Sequence, residues 1–281
     1  LIFSSFRLTG APSPYDLHPV LFDKEPLMWT FNLKGRVALV TGGNSGIGLG
    51  MARGLARAGA TLAIAGRNLE KNAAAARELE ALGAQVLTLS ADVTQEADCK
   101  ALVQATLERF GRLDVLINNA GTNIRKQPQD YTLEEWKTVM DTNLTSAFLC
   151  SKAAYAAMVA AGGGKIINTG SMTSIFGASF AMPYSASKGG IVQLSKALAT
   201  AWAKDNIQVN AILPGWIDTD LTRQARKEVA GLHERILART PAARWGDPAD
   251  FEGIAVFLSS PASNFITGTA LTVDGGYSAQ A

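Results

Sequence analysis

From Lys34 onward, short apolar runs alternate with longer stretches rich in alanine and leucine. The runs at 37–41, 61–65, 85–89, 115–118, 165–169, 208–212 and 270–273 are mostly apolar or β-branched along their whole length. Strands buried on both faces show that pattern, because neither face meets water. Helical composition fills 46–58, 69–82, 95–110, 133–160, 184–204 and 248–258. Parallel strands cannot be joined by a tight turn and need a long crossover, which a helix supplies. The order strand, helix, strand therefore predicts an α/β fold. It would be one doubly wound, seven-stranded parallel sheet with helices on both faces. No repeat or linker interrupts it, so 33–281 is read as a single domain.

Residues 1–32 read differently. They hold Pro12, Pro14, Pro19 and Pro26, no clear period, and no apolar core followed by a small-residue cleavage site. Two expectations stay open: Met28 is the natural start and the leader is an extension, or the segment is an arm that packs on a neighbour.

Composition narrows the class. The 281 residues are 47% hydrophobic and 18% charged, ample for a core and too apolar for disorder. A net charge of +2 excludes a strongly basic nucleic-acid binder or an acidic tail. The apolar runs fall well short of the roughly 20 residues a spanning helix needs, so no membrane partner is expected. Cys99 and Cys150 lie far apart in the chain without paired spacing, which argues against a disulfide framework or a zinc ribbon. They are read as inert thiols of a reducing cytoplasm. His18 and His233 are the only histidines, and no metal is expected.

The first strand runs into Thr41-Gly42-Gly43-Asn44-Ser45-Gly46-Ile47-Gly48 and then a helix. Gly42 permits the turn, Gly46 lets backbone approach a pyrophosphate, and Gly48 lets the helix sit close to the sheet. The helix end presents free N–H groups and a positive dipole to phosphates. The spacing, G-x-x-x-G-x-G, differs from the general G-x-G-x-x-G fingerprint. The second strand ends at Gly66-Arg67, where an acidic residue would bond an adenosine ribose and favour NAD. Arg67 instead suits a 2′-phosphate and NADP. Its alternatives are a solvated loop residue or a stack on adenine. Asp92 and Val93 can flank the adenine. Asn119, Ala120 and Gly121 form a small-residue turn beside the cofactor.

Tyr184-Ser185-Ala186-Ser187-Lys188 places a phenol and an ammonium on one helix face. An ammonium nearby lowers a phenol from its usual value of about 10 and readies it for proton transfer. Such a pair is common on surfaces, so its context decides. Ser171 follows the fifth strand, where open sheets place ligands, and can steady charge on a substrate oxygen. Asn143 sits mid-helix, where asparagine is disfavoured.

Together Thr41–Gly48, Asn118–Gly121, Asn143, Ser171, Tyr184, Lys188 and Pro214-Gly215 resemble the short-chain dehydrogenase/reductase superfamily, over about residues 33–277. The resemblance implies a Rossmann fold and reversible hydride transfer between nicotinamide and an alcohol or carbonyl carbon. It implies Tyr184 as acid/base, with Lys188 tuning it and holding the nicotinamide ribose. Ser171 would orient the carbonyl, and Asn143 would support a proton relay. Pro214, Gly215, Ile217 and Thr219 would lie beside the carboxamide. It further implies a homotetramer, or a homodimer, built on the two long helices. Ser45 departs from members that carry a basic residue there, leaving Arg67 to carry the NADP preference.

A substrate lid is expected over about 221–245, rich in arginine and read mainly as a solvated basic helix. Asn123-Ile124-Arg125-Lys126 and Pro241–Gly246 resemble the branch that interconverts gluconate and deoxygluconate derivatives. A sugar acid or another polar carbohydrate is the expected substrate, with Arg125, Ser171, Trp216 and Arg244 as contact candidates. Two alternatives remain: a 3-oxoacyl-carrier-protein reductase, and a dinucleotide sensor without turnover.

Overall fold

The computed structural model describes residues 30–280. The expected N-terminal extension, with Met28 and His18, lies outside these apart from residues 30–32. Seven strands form one parallel sheet: β1 (Val37–Thr41), β2 (Thr61–Ala65), β3 (Val86–Leu89), β4 (Val115–Asn118), β5 (Gly164–Thr169), β6 (Ile207–Pro214) and β7 (Ala270–Val273). Their spatial order is β3-β2-β1-β4-β5-β6-β7. The helices are α1 (Gly46–Arg57), α2 (Leu69–Ala81), α3 (Glu96–Phe110), α4 (Leu133–Met140), α5 (Ser146–Ala160), α6 (Met182–Trp202), α7 (Asp220–Glu228), α8 (Leu232–Arg239) and α9 (Glu252–Ser259).

Burial follows position in the sheet. Every residue of β1, β4 and β6 is buried, including the polar Gln208 and Asn210 of β6. The edge strands β3 and β7 are only half-buried, so the expectation of burial on both faces holds for the centre and not for the edges. One face packs Met51, Leu55 and Phe251 against Val40, Ile64 and Ile117. The other packs Leu102, Cys150 and Met158 against Leu39, Leu116 and Ile166. The chain leaves β1 toward β2 and β3, then crosses back so that β4 pairs with the other side of β1. The connections that leave the carboxyl ends of β1 and β4 thus run to opposite sides and open a crevice, the usual ligand site of such sheets.

Several local expectations change. The single helix expected over 133–160 is α4 and α5 joined by a π-helical turn, Asp141–Thr145. The helix expected over 248–258 begins as a 3-10 turn, Pro248–Phe251, capped by Asp247. The basic lid is two helices rather than one, and most of its basic residues are exposed as expected. Its α7 and α8 close on Ala225, Leu232 and Ile236, with Trp216 and Trp245 packed against them. Cys99 and Cys150, distant in sequence, meet in space: their sulfurs lie 3.4 Å apart, both buried and both free thiols. Among the described residues no helix is long and apolar enough to cross a membrane.

Candidate active site

A cleft of about 780 Å³ runs over the carboxyl ends of the central strands, from Arg67 and Asp92 at one end to Tyr184 and Lys188 at the other. Its floor is the glycine loop. Gly42 and Gly46 have φ of 63° and 51°, a region that L side chains rarely adopt. Gly48 acts by size: a Cβ there would lie 2.2 Å from the Gly42 carbonyl oxygen and 2.4 Å from Asn119 Nδ2. Ser45 at the head of α1 makes no side-chain cap, so the first-turn N–H groups have no side-chain partner. With the dipole they suit a pyrophosphate. Farther along the cleft, the Thr169 hydroxyl is buried without a hydrogen-bond partner. An uncapped helix end and an orphaned donor in one groove fit a dinucleotide.

Past β2, the cleft wall is held by a residue that sequence reasoning missed. Asn72 of α2 is buried and donates to the carbonyls of Gly66 (2.8 Å) and Leu89 (3.2 Å). Its own oxygen accepts from Asn44 Nδ2 at 2.6 Å. A Cβ at position 66 would lie 2.2 Å from that Asn44 nitrogen, so the pair fills the space of a side chain at Gly66. Arg67 is exposed and lines the cleft; the Asp92 carboxyl is held below its ordinary value first by hydrogen bonds from Thr94 and then by the Arg67 charge. Asp92 also spends Oδ1 on the Thr94 N–H and hydroxyl. Val93, Asn119, Ala120 and Gly121 line the cleft as expected. Thr219 does too, whereas Ile217 is buried in the core and its carbonyl accepts from the Thr222 hydroxyl. Gly215 donates its N–H to Val273 at 3.0 Å, and Pro214 ends β6 behind the cleft wall.

Four side chains converge at the other end. The π-helical turn points Asn143 inward, where its oxygen accepts from Thr122 N–H at 2.8 Å. Its amide donates to the Thr122 carbonyl and to Ser187 Oγ, both at 3.0 Å. A Cβ at Gly121 would sit 3.2 Å from Asn143 Oδ1 and 3.7 Å from Lys188 Nζ, so these two groups flank one backbone turn. Ser171 lies beside the Tyr184 phenol, its hydroxyl accepting from Thr173 N–H at 3.1 Å. Burial pushes the phenol above its ordinary value, and the Ser171 hydroxyl and Arg125 charge pull it partly back. The expected lowering by Lys188 is not met. Its ammonium stands 5.6 Å from the Tyr184 ring centroid and donates to the Thr169 carbonyl at 2.6 Å.

Burial lowers Lys188 to about 8 from 10.5. Between those values the unfolded chain binds more protons, so this residue's contribution to stability rises with pH. Its full cost is present below pH 8. Lys188→Met is therefore expected to be more stable than the parent at neutral pH by about 1–3 kcal/mol, less whatever the orphaned Thr169 carbonyl takes back. Denaturant melts should show the gain shrinking from pH 8 and absent above 10.5.

The residues expected at the substrate divide. Arg125 is only 9% exposed, and it donates to Glu228 Oε2 at 2.9 Å and to the Leu221 carbonyl at 3.2 Å. Arg244 sits at the surface. It forms a two-pronged pair with Asp250 (2.7 and 2.8 Å) and remains mostly exposed. Trp216 lies edge-on to Trp245, 5.7 Å between centroids, as part of the lid core. Three other lid arginines are also engaged: Arg223 and Arg226 hold Asp218, and Arg239 stacks on Tyr277 at 4.4 Å.

Comparison with known proteins agrees with this geometry. A family model described as Enoyl-(Acyl carrier protein) reductase matches residues 42–278. The chain is 42% identical to a 2-dehydro-3-deoxy-D-gluconate 5-dehydrogenase of Dickeya dadantii (strain 3937), over 89% of this chain and 98% of that one. It superposes with a TM-score of 0.84 on a short-chain type dehydrogenase/reductase from Mycobacterium marinum, at 35% identity over 88% and 97% of the two chains. It also superposes, with a TM-score of 0.86, on a gluconate 5-dehydrogenase from Burkholderia cenocepacia J2315 in complex with NADP and tartrate. That identity is 38%, over 90% of this chain and 99% of that one.

Proposed function

The chain belongs to the short-chain dehydrogenase/reductase family, and from that premise we propose that it interconverts a sugar acid and its keto form with NADP(H). It is an NAD(P)-dependent oxidoreductase acting on an alcohol or carbonyl carbon. The observation that carries the site reading is the convergence of Asn143, Ser171, Tyr184 and Lys188 at the end of a groove floored by the glycine loop. The sugar-acid class is supported by the gluconate and deoxygluconate relatives and by Arg125 near the Tyr184 phenol.

The glycine loop and the first turn of α1 bind the pyrophosphate, and Arg67 takes the 2′-phosphate. Lys188 holds the nicotinamide ribose. When bound, the nicotinamide supplies or accepts the hydride. Ser171 donates to the carbonyl oxygen and orients it. Tyr184 gives its phenolic proton to that oxygen in reduction and takes it back in oxidation. A phenol raised by burial stays protonated at neutral pH, which suits the acid role. Asn143 holds the Thr122 turn against α6 and keeps Lys188 in register with Tyr184. Arg223, Arg226 and Arg244 pair with Asp218 and Asp250, which neutralises part of the lid's basic charge.

We also propose a homotetramer in the cytoplasm, with 33–281 as the catalytic unit. The exposed Leu133, Phe148 and Val159 along α4 and α5 support the assembly.

Titration with NADPH and NADH, followed by nicotinamide fluorescence, tests the cofactor assignment. NADPH should bind at least about tenfold tighter, or 1.4 kcal/mol. Arg67→Ala should erase that margin without weakening NADH. Equal binding of both cofactors by the parent would overturn the assignment.

A further inference from the structure

Arg125 follows the turn after β4 and carries a guanidinium that is nearly out of solvent. A buried charge left without a counter-ion is costly, so the fold must supply one. It does so from the lid: Glu228 Oε2 at 2.9 Å. That carboxylate is the last residue of α7, where the negative end of the helix dipole disfavours an acid. Gln224, one turn earlier, donates to Glu228 Oε1 at 2.9 Å and aims the carboxylate. The second Arg125 contact, to the Leu221 carbonyl, fastens the guanidinium to the start of α7. Leu221 lines the cleft, so this contact sets Arg125 directly behind the cleft wall. The only carboxylate paired with Arg125 among the described residues therefore comes from a lid helix whose first turn lines the cleft.

We propose that Glu228 is a placeholder for the substrate carboxylate, held on Arg125 by the lid and exchanged for the carboxylate of a sugar acid when it binds. This rests on the sugar-acid reading above. The exchange swaps one ion pair for another, so the guanidinium is never left bare. A neutral polyol cannot make the swap and meets an Arg125 that is already satisfied. Glu228 is thus a specificity-determining residue that acts through Arg125. The apparent affinity for an acidic substrate is reduced by the fraction of time that Glu228 holds the site.

The test uses the full-length enzyme with D-gluconate as substrate and D-glucitol, its uncharged counterpart, as a competitive inhibitor. Glu228 is a surface-accessible helix residue, so Glu228→Gln should fold. It is expected to lower KM for gluconate about twofold to fivefold, the range of a partly exposed ion pair, with kcat unchanged. The inhibition constant of glucitol should not move. In an Arg125→Gln background the Glu228→Gln change should have no further effect on KM, because the two act as one unit. An unchanged or raised KM in Glu228→Gln, or an equal fall in the glucitol constant, overturns the placeholder while leaving the sugar-acid reading intact. If the parent turns over neither gluconate nor 5-keto-D-gluconate with either cofactor, the substrate reading fails and the placeholder fails with it.

Discussion

Tyr184→Phe is expected to lose about 10³-fold in kcat in both directions, within the 10²–10⁴ range of a positioned proton donor. The phenylalanine ring keeps the shape that packs over Lys188 and lacks only the hydroxyl beside Ser171. Cofactor affinity should therefore stay within about threefold, because the glycine loop and Arg67 are untouched. Single-turnover kinetics with saturating NADPH would separate the two effects. A loss below tenfold would mean that another group, Ser171 foremost, moves the proton. The pH profile of the parent provides a second check. Burial raises the phenol, so reduction should hold steady through neutral pH and decline only on the alkaline side. Oxidation needs the phenolate and should climb with pH.

Gly48→Ala is expected to be the most damaging small substitution outside the proton-transfer group. Its Cβ would stand 2.2 Å from the Gly42 carbonyl oxygen, which is backbone and cannot swing aside. Relief requires α1 to lift from the sheet, which pulls the first-turn N–H groups away from the pyrophosphate. Overpacking of this kind costs about 1–3 kcal/mol, and more where backbone is involved. A fall in Tm of about 5–10 °C follows for a chain of this size. NADPH affinity should drop at least about 100-fold, or 2.7 kcal/mol, since positioning and dipole act together. Calorimetry and fluorescence titration on the same preparation would check both. Parent-like affinity with a lowered Tm would show that the helix can shift without disturbing the phosphates.

The strands were legible because a central parallel strand must be apolar along its length. β1, β2, β4 and β7 occur with the expected bounds. The π-helical turn was not legible: 133–160 has one continuous helical composition, and what forces the extra residue is the contact of Asn143 with Thr122 and Ser187. The lid arginines are mostly exposed, as read, but the partners of four of them were not legible: Arg223, Arg226, Arg239 and Arg244 answer a carboxylate or ring that the fold brings near. Asn72 gave no signal, since an asparagine in a polar helix looks ordinary until Asn44, Gly66 and Leu89 are brought around it.

What the sequence alone determined is local or periodic: burial of strands and helices, the turn geometry that glycines 42 and 46 permit, and Tyr184 and Lys188 one helical turn apart. Each depends on neighbours within a few residues, so no knowledge of the chain's path is needed. Only the tertiary structure decided which distant groups meet. It set Cys99 beside Cys150, spent Lys188 on Thr169 rather than on the phenol, and paired Arg244 with Asp250. It also gave Arg125 the carboxylate of Glu228, 103 residues away. A charge or hydroxyl has many acceptable partners, and its choice follows from which of them the packed sheet and helices hold within reach.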